Sequence, residues 1–201
     1  MTSTMRDAAN PLQGLKEAEK ATGARGLPPV HLWNPPFCGD IDMRIAQDGT
    51  WFYMNSPIGR KPLVKLFASV MRHDEDGKYY LVTPAEKCGI KVDDAPFVAI
   101  RMTAEGESRD QVISFETNTD DVVTVDDHHP LRVATEEGTG GLKPYVLVRG
   151  RLEALVSRAL FYDLAARGTS EECDGEGWFG VWSSGRFWPM QRLSEIGFDK
   201  G

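Results

Sequence analysis

Changes in the period of apolar and polar positions divide the chain into its elements. Ile41, Met43 and Ile45 alternate with Asp42 and Arg44, the pattern of a half-buried strand. Asp48-Gly49 makes a hairpin turn, and Trp51-Phe52-Tyr53-Met54 is the returning strand. After Pro57 the period lengthens. Leu63, Leu66, Phe67, Val70 and Met71 line one face of a helix with Pro62 in its first turn. An acidic loop at 73–77 ends it, and strands follow at 79–82 and 88–92. Further strands are predicted at 97–102, 112–116, 122–125, 131–134 and 145–148. Leu152, Leu155, Val156, Ala159, Leu160 and Leu164 then predict a second amphipathic helix that stops at Gly168. An aromatic hairpin, 178–182 and 187–190, turns at Ser184-Gly185. Near the N-terminus, Asn10-Pro11 starts a short helix from Leu12 to Ala21. Pro28-Pro29 and Pro35-Pro36 make residues 24–36 an extended strap anchored by Trp33.

The two helical stripes lie 89 residues apart position for position, Leu63 with Leu152 and Phe67 with Val156, and the same shift pairs Arg60 with Arg149. Arg44 and Arg132 occupy matching strand positions upstream. The order of hairpin, arginine, helix, acidic loop and strand occurs twice, which predicts a tandem duplication of a β-rich unit with one helix in each copy. The expected class is α+β. The expected domains are an N-terminal helix and strap over 1–37, a first repeat over 38–95 and a larger second repeat over 96–201. A cleft between such copies is a common place for a ligand.

Charge narrows the partners. The 201 residues carry a net charge of −7, and a polyanion needs a basic face, so bulk nucleic acid is excluded as a partner. The first hundred residues hold 12 cationic and 12 anionic side chains and the remainder 11 and 18, so the surplus lies wholly in the second half. No stretch approaches the roughly 20 apolar residues of a membrane helix. Cys38, Cys88 and Cys173 are widely spaced with no CxxC pair, which argues against a disulfide framework or zinc knuckle and for the cytoplasm. No metal and no cofactor is expected.

Arginines are the best binding candidates. Arg60 and Arg149 each precede a predicted helix, where the positive dipole end favours an anion, and a guanidinium offers a two-pronged fork to phosphate or carboxylate. Arg44 and Arg132 would add to the same site, with Trp33, Trp51 and Tyr53 available to stack a base. A competing constellation is Asp127-His128-His129 after the strand at 122–125, with Asp40 and Asp42 upstream. It resembles the motif of metal-dependent phosphoesterases, in which metal ions activate water. Against that stand the missing parallel α/β core and Gly-rich motifs. A third reading is a protein-interaction module presenting the proline strap and Trp178, Trp182 and Trp188.

Several strings resemble a known family. Leu27-Pro28-Pro29-Val30-His31-Leu32-Trp33-Asn34-Pro35, Gly39-Asp40-Ile41-Asp42-Met43-Arg44-Ile45, Asp48-Gly49-Thr50-Trp51-Phe52-Tyr53, Ser56-Pro57-Ile58, Arg60 and Asp94-Ala95-Pro96-Phe97 are similar to bacterial proteins classed as domain of unknown function 1285. The resemblance implies a mixed α+β protein with a duplicated core and a C-terminal half loosely like pleckstrin-homology β-structures. It also implies a ligand site between the halves, a nucleotide-like ligand and a role in signal transduction. It carries over no catalytic residues. The expectation is therefore a non-enzymatic ligand-binding or regulatory protein for a small anion. The alternative is a phosphoesterase built on Asp127-His128-His129.

Overall fold

The computed structural model describes residues 26–136 and 138–196; the helix expected over 12–21 lies outside them. The chain divides into two compact units. The first takes the described residues up to Ala46 together with Thr50–Asp93, and the second takes Gln47–Gly49 and those from Asp94 onward.

In the first unit, strands β1 (Phe37–Ile45), β2 (Trp51–Tyr53) and β3 (Ser56–Pro57) lead to helix α1 (Lys61–Ser69). β4 (Met71–His73), β5 (Tyr79–Val82) and β6 (Lys87–Val92) follow. They form one sheet in the order β3-β2-β1-β6-β5-β4, in which β1 and β6 run parallel and the other neighbours antiparallel. The strand alternation holds: Met43 and Ile45 are buried while Asp42 and Arg44 face out. Gly49, at φ +81°, makes the turn between β1 and β2, a conformation that glycine adopts without a Cβ clash. α1 ends two residues earlier than its apolar stripe. Val70 accepts a backbone hydrogen bond from Val82 (2.9 Å) and Met71 pairs with Leu81, so the sheet claims both residues. α1 buries Phe67 and Ala68, and Phe67 stacks on Trp51 at 6.1 Å. Burying each such ring contributes about 1.5–3 kcal/mol.

The expected strap contains a short 3-10 turn at Val30–Leu32. Its fastening is Arg72, which donates to the carbonyls of Val30 (2.8 Å) and Trp33 (2.7 Å) and to Asp74 (2.5 Å). Lys87 donates to Asp74 as well. Burial alone would raise the Asp74 pKa, but these hydrogen bonds outweigh it and hold the carboxyl below its usual range.

The second unit opens with β7 (Phe97–Glu105), β8 (Val112–Thr117), β9 (Val122–Thr124), β10 (Leu131–Thr135), β11 (Leu142–Arg149) and β12 (Leu152–Val156). Their sheet order is β10-β11-β12-β7-β8-β9, with β12 and β7 parallel. Helix α2 (Arg158–Ala165) and a three-stranded sheet of β13 (Thr169–Cys173), β14 (Glu176–Ser183) and β15 (Arg186–Arg192) complete it. The helix expected from Leu152 is thus corrected. Leu152, Ala154 and Val156 are buried at strand spacing, and α2 starts only at Arg158. Leu152 and Val156 are four apart, which satisfies a helix face and a strand face alike. Pairing of Ala154 with Phe97 and of Val156 with Ala99 decides for the strand.

The duplication is present but in another register. Each unit holds two three-stranded meanders whose first and last strands pair in parallel at the sheet centre, so β1 corresponds to β7 and β6 to β12. In the first unit a helix joins the two meanders; in the second a turn at 125–130 does, and α2 comes after the sixth strand. The helices are therefore not counterparts, and the expected matches of Arg60 with Arg149 and of Arg44 with Arg132 fail with them.

Two predictions follow from this packing. A Cβ at Gly180 would lie 2.2 Å from the Trp188 carbonyl oxygen and 3.0 Å from the Pro189 Cα, at the bulge where β14 pairs with β15. Because backbone cannot step aside, Gly180→Ala is expected to cost about 1–3 kcal/mol, read as a lowered denaturant midpoint. The second concerns two phenols. Tyr80 donates to Asp76 (2.6 Å) and Tyr145 to Asp94 (2.7 Å). The hydrogen bond to Asp76 chiefly pushes Tyr80 up to about 12, and burial followed by the bond to Asp94 pushes Tyr145 to about 12. The folded state thus holds these protons more tightly than the unfolded chain. Their stabilisation is complete below pH 10 and is lost as the pH climbs toward 12. Phenolate absorbance of the folded protein should show two late-ionising tyrosines, one removed by Tyr80→Phe and one by Tyr145→Phe.

Candidate functional site

The four arginines meet different fates. Arg44 on β1 donates to Asp93 through Nε (2.8 Å) and Nη2 (2.5 Å) and holds that carboxyl below its usual pKa range. Arg132 on β10 makes a two-pronged contact with Glu153 on β12, at 2.6 and 2.5 Å. Its guanidinium lies 4.2 Å over the Tyr145 ring. Arg149 closes β11 rather than preceding a helix. It donates to Asp121 (2.6 Å) and lies 4.8 Å over the Phe97 ring. Arg132 and Arg149 belong to one unit but are separated along the sheet, since Arg132 pairs with Tyr145, four residues before Arg149 on β11. These three cations are matched by carboxylates.

Arg60 differs. It occupies the cap position of α1 with extended backbone, and its side chain makes no capping bond. Its carbonyl accepts the N–H groups of Leu63 (3.0 Å) and Val64 (3.1 Å), and Pro62 has no N–H to offer. The Lys61 N–H has no partner within the helix and lies at the positive end of its dipole. A groove of about 1040 Å³ runs along this end of the helix, lined by Gly59, Arg60, Lys61, Pro62, Leu63, Lys65 and Leu66. Among the described residues the Arg60 and Lys61 side chains have no hydrogen-bond or ion-pair partner. The surface thus offers cations at a helix start with no carboxylate cap, above the apolar edges of Pro62, Leu63 and Leu66. That suits a phosphate or carboxylate borne on an organic body. Sequence reasoning found Arg60 and missed Lys61 and Lys65, although Arg60-Lys61-Pro62 was legible as a cationic helix start.

The aromatic candidates do not gather here. Trp51 is 1% exposed and stacked on Phe67; the expectation that it could stack a ligand is corrected, because its ring is a core side chain. Its Nε1 has no hydrogen-bond partner among the described residues. Tyr53 is 38% exposed at the end of β2, Trp33 is half-buried, and neither lines the groove.

The Asp-His-His segment is used as a turn. Asp126 accepts the N–H groups of His128 (2.8 Å) and His129 (2.9 Å). Its partial burial would raise its pKa, but these two bonds hold it low. His129 Nδ1 lies 3.0 Å from the Leu147 carbonyl oxygen, and Asp127 is paired with Arg186. Among the described residues no three His, Cys, Asp or Glu side chains are grouped to hold a metal. The tryptophan hairpin is likewise not bare. Trp188 is 3% exposed, Arg192 lies over Trp178 at 5.2 Å and Arg109 over Trp182 at 4.9 Å. No helix among the described residues is long and apolar enough to cross a membrane.

Comparison with known proteins agrees on the family. Residues 28–95 match the N-terminal domain of unknown function DUF1285, and residues 96–190 match the C-terminal domain of the DUF1285 protein of unknown function. A crystal structure of a DUF1285 family protein from Silicibacter pomeroyi DSS-3 is 49% identical, with a TM-score of 0.81, covering 90% of this chain and 97% of that one. A second, from Shewanella baltica OS155, is 22% identical with a TM-score of 0.49, covering 63% of this chain and 92% of that one. No curated protein matches. With its two halves matching the two domains in order, the chain belongs to the DUF1285 family.

Proposed function

We propose that this protein is a non-enzymatic ligand-binding or regulatory protein that takes a small organic anion, nucleotide-like in class, on the groove at the start of α1. The observation that carries the reading is the contrast among the arginines: Arg44, Arg132 and Arg149 are held by carboxylates, whereas Arg60 and Lys61 stand at a helix start that has no side-chain cap and no carboxylate partner among the described residues. An anionic group there would act as the missing cap and meet two cations, while its organic part covers Leu63 and Leu66. A signalling role in the cytoplasm belongs to the same proposal. So does a loosely pleckstrin-homology-like character for the second unit, whose six strands lead into α2.

Nucleoside phosphates, sugar phosphates and inorganic phosphate, each followed by thermal shift, test this directly. Saturation near 100 times Kd adds about 2.7 kcal/mol of stability. Arg60→Ala with Lys61→Ala should abolish the shift, while Arg132→Ala and Arg149→Ala should leave it. Because the site is exposed, raised salt should weaken binding. If no anion stabilises the wild type, or the shift survives loss of Arg60 and Lys61, the reading is wrong. Manganese-dependent cleavage of a generic phosphodiester, lost in Asp127→Ala, would replace binding by catalysis.

A further inference from the structure

We propose that Cys38 and Cys88, fifty residues apart in the sequence, are an oxidisable pair that a hydroperoxide closes into a disulfide across the central strands of the first unit. The two lie on β1 and β6, the parallel neighbours of that sheet. The register places Gly39 against Cys88 and shifts between Phe37 and Gly39, so Cys38 is the extra residue of a bulge and adjoins the partner of Cys88. A bulge leaves its extra residue unpaired and re-aims its side chain. Neighbouring strands lie about 4.8 Å apart, and a disulfide spans Cα separations of about 4.4–6.8 Å. Strand adjacency thus brings the two Cα atoms into the range that a disulfide spans.

The two thiols differ as an attacking and a resolving cysteine should. Cys38 is exposed and Cys88 buried. Burial, with smaller contributions from Glu86 and from Cys38 itself, pushes the Cys88 thiol up to about 11. It stays protonated and sheltered from peroxide in bulk water. In the first step the Cys38 thiolate attacks one peroxide oxygen, the O–O bond breaks and hydroxide leaves, giving the sulfenic acid. The Cys88 sulfur then attacks the Cys38 sulfur. An S–S bond forms, the S–O bond breaks, and the departing hydroxide takes the Cys88 proton as water. The two sulfurs together lose two electrons, which the peroxide gains, and a dithiol reverses the change. Cys38 also donates to the Pro36 carbonyl (3.6 Å), which accepts the Lys87 N–H (3.1 Å). Closure would therefore fix the end of the strap to β6.

The folded wild type is treated with hydrogen peroxide, alkylated without reduction, digested and read by mass spectrometry. The expected product is one linked peptide pair, Cys38 with Cys88, two hydrogens lighter than the thiols, with Cys173 alkylated and the link removed by dithiothreitol. Because Cys88 stays protonated, its attack is the slow step, so dimedone added with the peroxide should trap Cys38 as the sulfenic acid. Cys88→Ser should let that acid persist or pass to sulfinic acid, and Cys38→Ser should leave Cys88 reduced. Protein unfolded in urea should instead scramble all three cysteines. Accumulation of sulfinic acid on Cys38 in the wild type with Cys88 still free would overturn the proposal. So would a folded-state bridge to Cys173, or no reaction at Cys38.

Discussion

A parallel strand pair at the centre of each sheet is the constraint from which both units follow. Two parallel neighbours cannot be joined by a tight turn, so the chain leaving β1 must travel out along one meander and return along another before β6 can lie beside it. The last strand of the first meander and the first strand of the second then become the two edges of the sheet, and the chain has to cross between them. How it crosses determines what fills the core. In the first unit the crossing is α1, which brings Phe67 and Ala68 over the inner face and stacks Phe67 on Trp51. The groove beside Arg60 exists because a helix has to begin there, at the edge strand the chain is leaving.

In the second unit the same crossing is made from Thr124 to Leu131 with no helix. Seven residues reach at most about 25 Å when extended, and a flat six-stranded sheet is about 24 Å from edge to edge. The segment is not extended, because Asp126 draws the His128 and His129 N–H groups into a turn. The sheet must therefore curl so that β9 and β10 approach one another. Ser183, at the end of β14, bonds the Ile113 N–H (3.0 Å) and the Val125 carbonyl (2.7 Å) while fully buried. The added three-stranded sheet thus satisfies backbone groups on β8 and just after β9. The Asp-His-His string is explained by this need for a short, capped turn.

Legibility in the sequence followed the locality of the forces. The alternation of β1, the Asp48-Gly49 turn and the start of α1 are set by residues within a few positions of one another, and the pattern showed them. Leu152 and Val156 satisfied two periods at once, and only pairing with β7, 57 residues earlier in the chain, settles which applies. The arginines failed for the same reason. The partners of Arg44, Arg132 and Arg149 lie 49, 21 and 28 residues away, on strands whose adjacency the sequence does not disclose. Arg60 kept its candidacy because its surroundings are local. Trp51 and Tyr53 share a strand face two residues apart, yet Trp51 lies against Phe67 of α1 and is core while Tyr53 is exposed, a difference set by a helix that packs from elsewhere in the chain.

An acidic protein that binds an anion poses an apparent conflict, and the distribution of charge resolves it. The first hundred residues are electrically balanced and the surplus of −7 falls in the remainder. Many of those second-half carboxylates are already spent on cations, as Asp121 is on Arg149 and Glu153 on Arg132. At physiological ionic strength exposed charges are screened beyond about 8 Å, so net charge matters less to a ligand than its first neighbours do. At the start of α1 those neighbours are Arg60, Lys61 and the dipole of an uncapped helix. What makes a cation available to a ligand here is that no carboxylate among the described residues pairs with it, which is a property of one place on the fold and is invisible to a sum over the chain.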